Sequence, residues 1–177
     1  YQRIRETTLD MGGGLKVITK HLNHPILCLG YRFEYQGKSI VTAFDSEPFR
    51  NVFSTDPDDP GYDETAALEG EEVAREENER LFRFFEGADI LIHDCQYTAE
   101  EYKTKQGWGH SCFEQTIDTA VKARVKKLIG FHHDPARTDA RLSELESKYR
   151  DFIAGSTAAA VPPLEFYMAR EGSSFKA

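Results

Sequence analysis

The sequence predicts an α/β domain built on a mixed sheet, and three observations predict it. After Gly87, apolar β-runs alternate with helical segments, the pattern of parallel strands joined by crossover helices. Before it, two β-runs close on a short polar turn, the pattern of an antiparallel hairpin. The six histidines fall in short polar islands at or beside the ends of these runs, where open α/β sheets place their chemistry.

The elements follow in order. Tyr1-Gln-Arg-Ile-Arg5 carries no methionine and no helix or strand start signal, so the chain is expected to be a piece of something longer. Lys16 to Thr19 reads as a strand. Leu27 to Tyr35 and Ser39 to Phe44 form the hairpin, turning near Gln36-Gly37-Lys38, and Asp45 ends its second arm. Residues 46–64 mix Pro48, Pro57, Pro60 and Gly61 with Asp56, Asp58, Asp59, Asp63 and Glu64, a composition that predicts an exposed acidic loop. A long helix follows from Thr65 to Glu86, with Leu81, Phe84 and Phe85 on its apolar side and Gly87 as its stop.

Ala88 to His93 is the next strand. Thr98-Ala-Glu-Glu101 and Ser111-Cys-Phe-Glu114 have the spacing of capping boxes, starting a short helix near Ala99 and a longer one near Cys112. The longer helix has Ile117, Ala120 and Val121 as its core face, and Lys127 to His132 is the following strand. The last helix runs from Thr138 to Ala154 with Leu142, Leu145, Tyr149, Phe152 and Ile153 on one side, and Gly155 is its expected end. Leu164 to Ala169 closes the set as a strand.

Composition narrows the function. The 177 residues are 40% hydrophobic and 29% charged, with no apolar run long enough to span a membrane, and read as one soluble globular domain. A net charge of -8 and a pI near 5.3 argue against a broad duplex-binding face, because phosphate neutralisation needs clustered Lys and Arg. Cys28, Cys95 and Cys112, odd in number and without a signal peptide, fit reduced thiols in a cytoplasm.

The islands suggest metal-assisted hydrolysis. His24, before the hairpin, and His132, at the end of an apolar strand, are imidazoles of the kind that bind zinc or manganese. Asp45 adds a carboxylate able to bridge two ions. Singly, each has an ordinary structural explanation: a hydrogen-bonded strand-end histidine, or a turn-forming aspartate. Their order on successive strand ends favours a site.

The same segments carry a resemblance. Leu22-Asn-His24-Pro25 with Gly30-Tyr31-Arg32-Phe33-Glu34, then Ala43-Phe44-Asp45, Ile92-His93-Asp94, Gly107-Trp108-Gly109-His110-Ser111 and Phe131-His132-His133-Asp134-Pro135 resemble the metallo-β-lactamase superfamily. Within it they are most similar to the ribonuclease Z and phosphodiesterase-like branch. The resemblance implies an αββα sandwich, of which this chain is the C-terminal half with a mixed sheet and flanking helices, and two divalent metal ions, zinc first, with manganese or iron as alternatives. It implies His24 on the first metal, Asp45 bridging both and His132 on the second. It also implies that His110, paired with Asp94, reaches the scissile phosphate; capping of the following helix is the simpler role for His110. Asp94 stands where that branch has glutamate, one methylene longer. His93 is expected to be structural and buried under the site.

The superfamily's His-x-His-x-Asp-His segment does not occur in these residues. The expectation is therefore a fragment, inactive alone, or a domain without its metals. His133 is expected to turn away from the ligands, and Asp134 and Asp139 to orient an imidazole or cap the last helix. His21 is an alternative to His24. Trp108 and Tyr97 either stack on a substrate base or anchor loops. The expected function is phosphodiester hydrolysis by metal-activated hydroxide on a small or nucleotide-like substrate, with a homodimer compatible with it. The alternatives are hydrolysis of thioester, lactone or amide bonds, and a metal-free sensory or interaction module that kept the scaffold.

Overall fold

The computed structural model describes residues 5–156 and 163–177; Tyr1 to Ile4 at the chain's opening lie outside them. Seven strands form one sheet in sequence order: β1 (Thr7–Asp10), β2 (Lys16–Leu22), β3 (Cys28–Tyr35), β4 (Lys38–Ala43), β5 (Ile90–Asp94), β6 (Lys127–Phe131) and β7 (Glu165–Met168). Four helices join them: α1 (Glu64–Phe85), α2 (Ala99–Tyr102), α3 (Phe113–Lys122) and α4 (Asp139–Ser156). Strands β1 to β4 are antiparallel, and β4 to β7 are parallel. The sheet is mixed, as the hairpin and the alternating half imply.

The hairpin turns on Gln36 and Gly37, both at positive φ (49° and 76°), the two-residue turn whose twist matches the flanking strands. Strand β1 is not signalled in the sequence. It is a four-residue edge with mostly exposed side chains, held by its ladder to β2 rather than by an apolar face.

Parallel neighbours in sequential order require crossovers of one hand, and right-handed crossovers then place α1, α3 and α4 on the same face. The core shows this layer. Val41, Leu91, Leu128 and Phe166 are register partners across the four parallel strands and are buried together with Phe85, Ile117, Leu145 and Tyr149. Truncating Leu91 to alanine there would cost about 2–5 kcal/mol. The opposite face presents Tyr31, Ile40 and Ile92, each partly exposed, and the Phe44–Phe131 pair, whose rings stand 5.0 Å apart. Among the described residues no second sheet is present, so the chain shows two of the layers that a sandwich would have.

Helix α1 starts on Asp63, whose carboxylate accepts from the Ala66 N–H at 3.0 Å, and stops before Gly87, at φ 64°. Helix α2 has its capping box, Thr98 with Glu101. Helix α3 does not. Its N-cap is Cys112, without a side-chain bond; the Ser111 hydroxyl donates instead to the Ser46 carbonyl, and Glu114 accepts from Ala99 N–H and Tyr149 O–H. Helix α4 also departs from expectation, since Gly155 lies within it. Of its expected core side Leu145, Tyr149 and Ile153 are buried, whereas Phe152 is exposed.

The 46–64 stretch, expected to be exposed throughout, begins with two buried residues, Ser46 (1% exposed) and Glu47 (2%). Residues 55–61 are exposed. Chain composition averages over the segment and so hides the two residues that leave the sheet and are still packed under it. No helix among the described residues is long and apolar enough to cross a membrane.

Candidate functional site

The parallel half of the sheet aligns its strand ends. Ala43 pairs with His93, and Asp94 with Phe131, so Asp45 just past β4, Asp94 closing β5 and His132 just past β6 emerge side by side. His110 joins them from the segment between α2 and α3. One ligand atom from each of Asp45, Asp94, His110 and His132 lies within 4.8 Å of the others.

Asp94 is fully buried, and its environment fixes it. Oδ1 accepts from the Gln96 and Ser111 N–H groups at 3.0 and 3.2 Å, while Oδ2 meets His110 Nδ1 at 2.6 Å. The aspartate thus reaches the histidine directly. That bond from Asp94, opposed by partial burial and reinforced by the charges of Asp94, Asp45 and Glu47, raises the His110 pKa above the ordinary histidine value. His110 is thereby oriented and biased toward its cation, the form that stabilises phosphate charge or protonates a leaving oxygen.

His132 stacks on His110 with ring centroids 4.5 Å apart and planes 11° from parallel. Its Nε2 is 3.4 Å from Asp45 Oδ1, and its Nδ1 is buried with no hydrogen-bond partner. The residue holds φ at 54°, a left-handed conformation that costs a non-glycine residue energy. An imidazole held there with an orphaned nitrogen, beside a carboxylate and two further donors, suits a divalent cation of the zinc, manganese or iron type. Asp94 is taken up by His110 Nδ1 and two backbone N–H groups, which leaves Asp45 and His132 as candidate ligands and the second ring nitrogen of His110 open.

His24 borders this group rather than joining it. Its ring lies 5.5 Å from the His110 ring, and its Nδ1 is engaged with the Ile26 backbone, 3.0 Å from the carbonyl and 3.2 Å from the N–H. Gly109 makes this approach possible: at φ 86°, a Cβ there would stand 2.4 Å from His24 Cδ2. His21 lies within β2, paired with Leu29. His133 turns the other way and donates from Nε2 to the Ala169 carbonyl at 3.1 Å, and Asp134 accepts from Ala136 N–H in its own turn.

His93 is buried, and burial pushes its pKa below the ordinary value. Its Nδ1 donates to the Asp94 carbonyl at 2.9 Å. Tyr97 is buried at 6.3 Å, edge-on to His110, and anchors the loop. Trp108 is 55% exposed under Lys105, whose Nζ sits 3.9 Å from its ring.

Glu47 carries no sequence signal, being one acid in an acid-rich stretch. Its buried carboxylate accepts from Tyr102 O–H (2.6 Å), Gly107 N–H (2.7 Å) and Gly109 N–H (2.9 Å). Together with the Ser111 bond to the Ser46 carbonyl, it zips Asp45-Ser46-Glu47 onto the loop of His110. Arg137 does similar work across the site, donating to the Gln96 carbonyl and to Glu101, which ties the loop after His132 to the loop after Asp94.

No protein-family model matches the chain. Among curated proteins, it is 26% identical over 166 residues to the ribonuclease Z of Lactococcus lactis subsp. cremoris, covering 81% of this chain and 53% of that protein. It is 36% identical over 74 residues to the ribonuclease Z of Ignicoccus hospitalis, covering 42% and 24% respectively. Among solved structures, the metallo-β-lactamase fold protein YhfI of Bacillus subtilis superposes with a TM-score of 0.60 at 17% identity, over 95% of this chain and 52% of that one. The short form of human tRNase Z gives 0.53 at 16%, over 92% and 43%. The chain spans about half the length of the curated relatives it matches. Its residues are built on the metallo-β-lactamase fold, and its relatives in sequence are ribonucleases Z.

Proposed function

We propose that this chain carries part of the active site of a metal-dependent phosphodiesterase. The observation that carries the reading is the meeting of Asp45, Asp94, His110 and His132 at three adjacent parallel strand ends, with a histidine oriented by a buried carboxylate. Asp45 and His132 hold the metal, with His24 at the border of the same group; further ligands come from outside these residues, since the His-x-His-x-Asp-His segment is not among them. Bound divalent ions supply an activated water and neutralise phosphate charge. Two ions, zinc first, fit the resemblance and the donor types.

The chain's own residues supply the rest. His110, held by Asp94 and raised toward its cation, offers a proton to the leaving oxygen and a positive charge to the phosphate. Glu47 and Ser46 keep that histidine in register with Asp45. A phosphodiester suits this arrangement better than a thioester, lactone or amide, because an imidazole oriented by a buried carboxylate beside the metal ligands is placed to donate a hydrogen bond to an anionic reacting group. The naming of the relatives as ribonucleases brings RNA forward as a substrate beside small phosphodiesters, with the net charge of -8 favouring a local contact over an extended one.

The test is hydrolysis of bis(p-nitrophenyl) phosphate and of a short RNA by the complete gene product loaded with zinc or manganese. Metal-dependent turnover that falls about 10²–10⁴-fold in His110→Ala supports the reading. No turnover of either substrate, or equal rates in the variant, rejects it.

A further inference from the structure

A cavity of about 730 Å³ opens between α1, α3 and residues 46–51, on the helical side of the sheet. None of Asp45, Asp94, His110 and His132 lines it, so it is a place apart from the cluster at the strand ends. Its size falls within the roughly 300–1,000 Å³ of small-molecule sites. Phe49, Leu81, Phe82 and Phe85 give it apolar, largely aromatic walls, and His93, Ser111 and Thr116 lie among its polar lining.

Most of that polar lining is spent. The Ser111 hydroxyl donates to the Ser46 carbonyl and the Thr116 hydroxyl to the Asp94 carbonyl. Asn78 is paired in both directions with the Phe49 backbone, and the Glu47 carboxylate is taken by Tyr102, Gly107 and Gly109. Among the buried polar residues of the lining, His93 is the exception. It is 6% exposed, and its Nδ1 stands 2.9 Å from the Asp94 carbonyl oxygen. A carbonyl only accepts, so the ring proton is on Nδ1, and Nε2 of the neutral ring carries a lone pair. Among the described residues nothing donates to it. Of the cationic side chains in the lining, Arg75 is paired with Glu79 and Lys122 with Asp118, which favours an uncharged guest.

We propose that this cavity is a second ligand site, taking a small, neutral, planar aromatic molecule with one N–H or O–H donor, which it gives to His93 Nε2. The aromatic walls supply the affinity and the buried acceptor on His93 supplies the selectivity. The proposal is independent of the hydrolytic reading, since it uses neither the metal ligands nor His110.

Indole and 1-methylindole are the probes, equal in shape but for the methyl group that replaces the donor. Binding to the intact chain is followed by saturation-transfer NMR and by the ¹⁵N shift of His93 Nε2. Indole is expected to bind about tenfold tighter than 1-methylindole, the worth of one neutral hydrogen bond, and to move the His93 Nε2 signal. His93→Phe is expected to erase that tenfold preference. Thr119→Phe, which fills the cavity from α3 and leaves His93 in place, is expected to weaken both probes. Equal binding of the two probes, a stationary His93 signal, or unchanged indole binding in Thr119→Phe overturns the proposal.

Discussion

Strand β5 is bracketed by two buried aspartates that differ in what they do. Asp89, before its first residue, accepts from the Ser39 N–H at 2.8 Å and from Lys126 and Lys38 at 2.8 and 3.5 Å. Asp94, at its other end, holds His110 beside Asp45 and His132. Burial works against ionisation of Asp89, but Lys126, the Ser39 N–H and Lys38 outweigh it and hold the carboxyl below the ordinary value. Asp89 is closed: its partners are fixed donors, and it clamps β4, β5 and the start of β6. Asp94 is open: its partner is a histidine with a second ring nitrogen to offer. A buried carboxylate alone therefore says little about function, and the chemistry of its partner says most.

The contrast can be broken at either end. The largest effect is expected from Asp45→Ala, which removes the carboxylate proposed to hold the metal and should lower metal-dependent hydrolysis by about 10³-fold or more, as read from kcat/KM with added zinc or manganese. Glu47→Gln comes next. Gln cannot accept all three bonds without turning a donor toward a donor, so unfolding in urea should lose about 2–3 kcal/mol while the His110 ring NMR signals broaden. Gly109→Ala should cost about tenfold in hydrolysis, roughly 1–2 kcal/mol of strain, because its Cβ would displace His24 from the edge of the site; unchanged His24 ring shifts would count against this.

Asp89→Asn is the smallest and the most instructive. It should lower stability by about 1–2 kcal/mol at pH 7 with hydrolysis unaffected. The sign follows from the lowered pKa: the ionised clamp contributes fully above the unfolded value of about 4 and is lost as pH falls through the lower folded value. Urea midpoints of wild type and variant should converge below about pH 4.

Much of this was legible because local rules sufficed. The Gln36-Gly37 turn, the Gly87 stop of α1 and the Thr98–Glu101 capping box are written in adjacent residues. The strand-end order of Asp45, Asp94 and His132 follows from the parallel alternation. What was not legible depends on distance. Glu47 looks like its solvated neighbours until the loop of Gly107 and Gly109 folds onto it. Ser111 resembles a helix cap until Ser46 claims its hydroxyl. The place of His24 beside the cluster is set by the loop carrying Gly109, across more than eighty residues of chain.

The most direct test compares the two aspartates in one assay: hydrolysis of bis(p-nitrophenyl) phosphate by the metal-loaded complete gene product, with Asp94→Asn and Asp89→Asn measured at equal folded fraction. A fall of about 10²-fold or more is expected for Asp94→Asn, and a rate within about twofold of wild type for Asp89→Asn, which lies at the far end of the strand from the reacting groups. Equal losses in the two variants, or no loss in Asp94→Asn, would contradict the role given to Asp94.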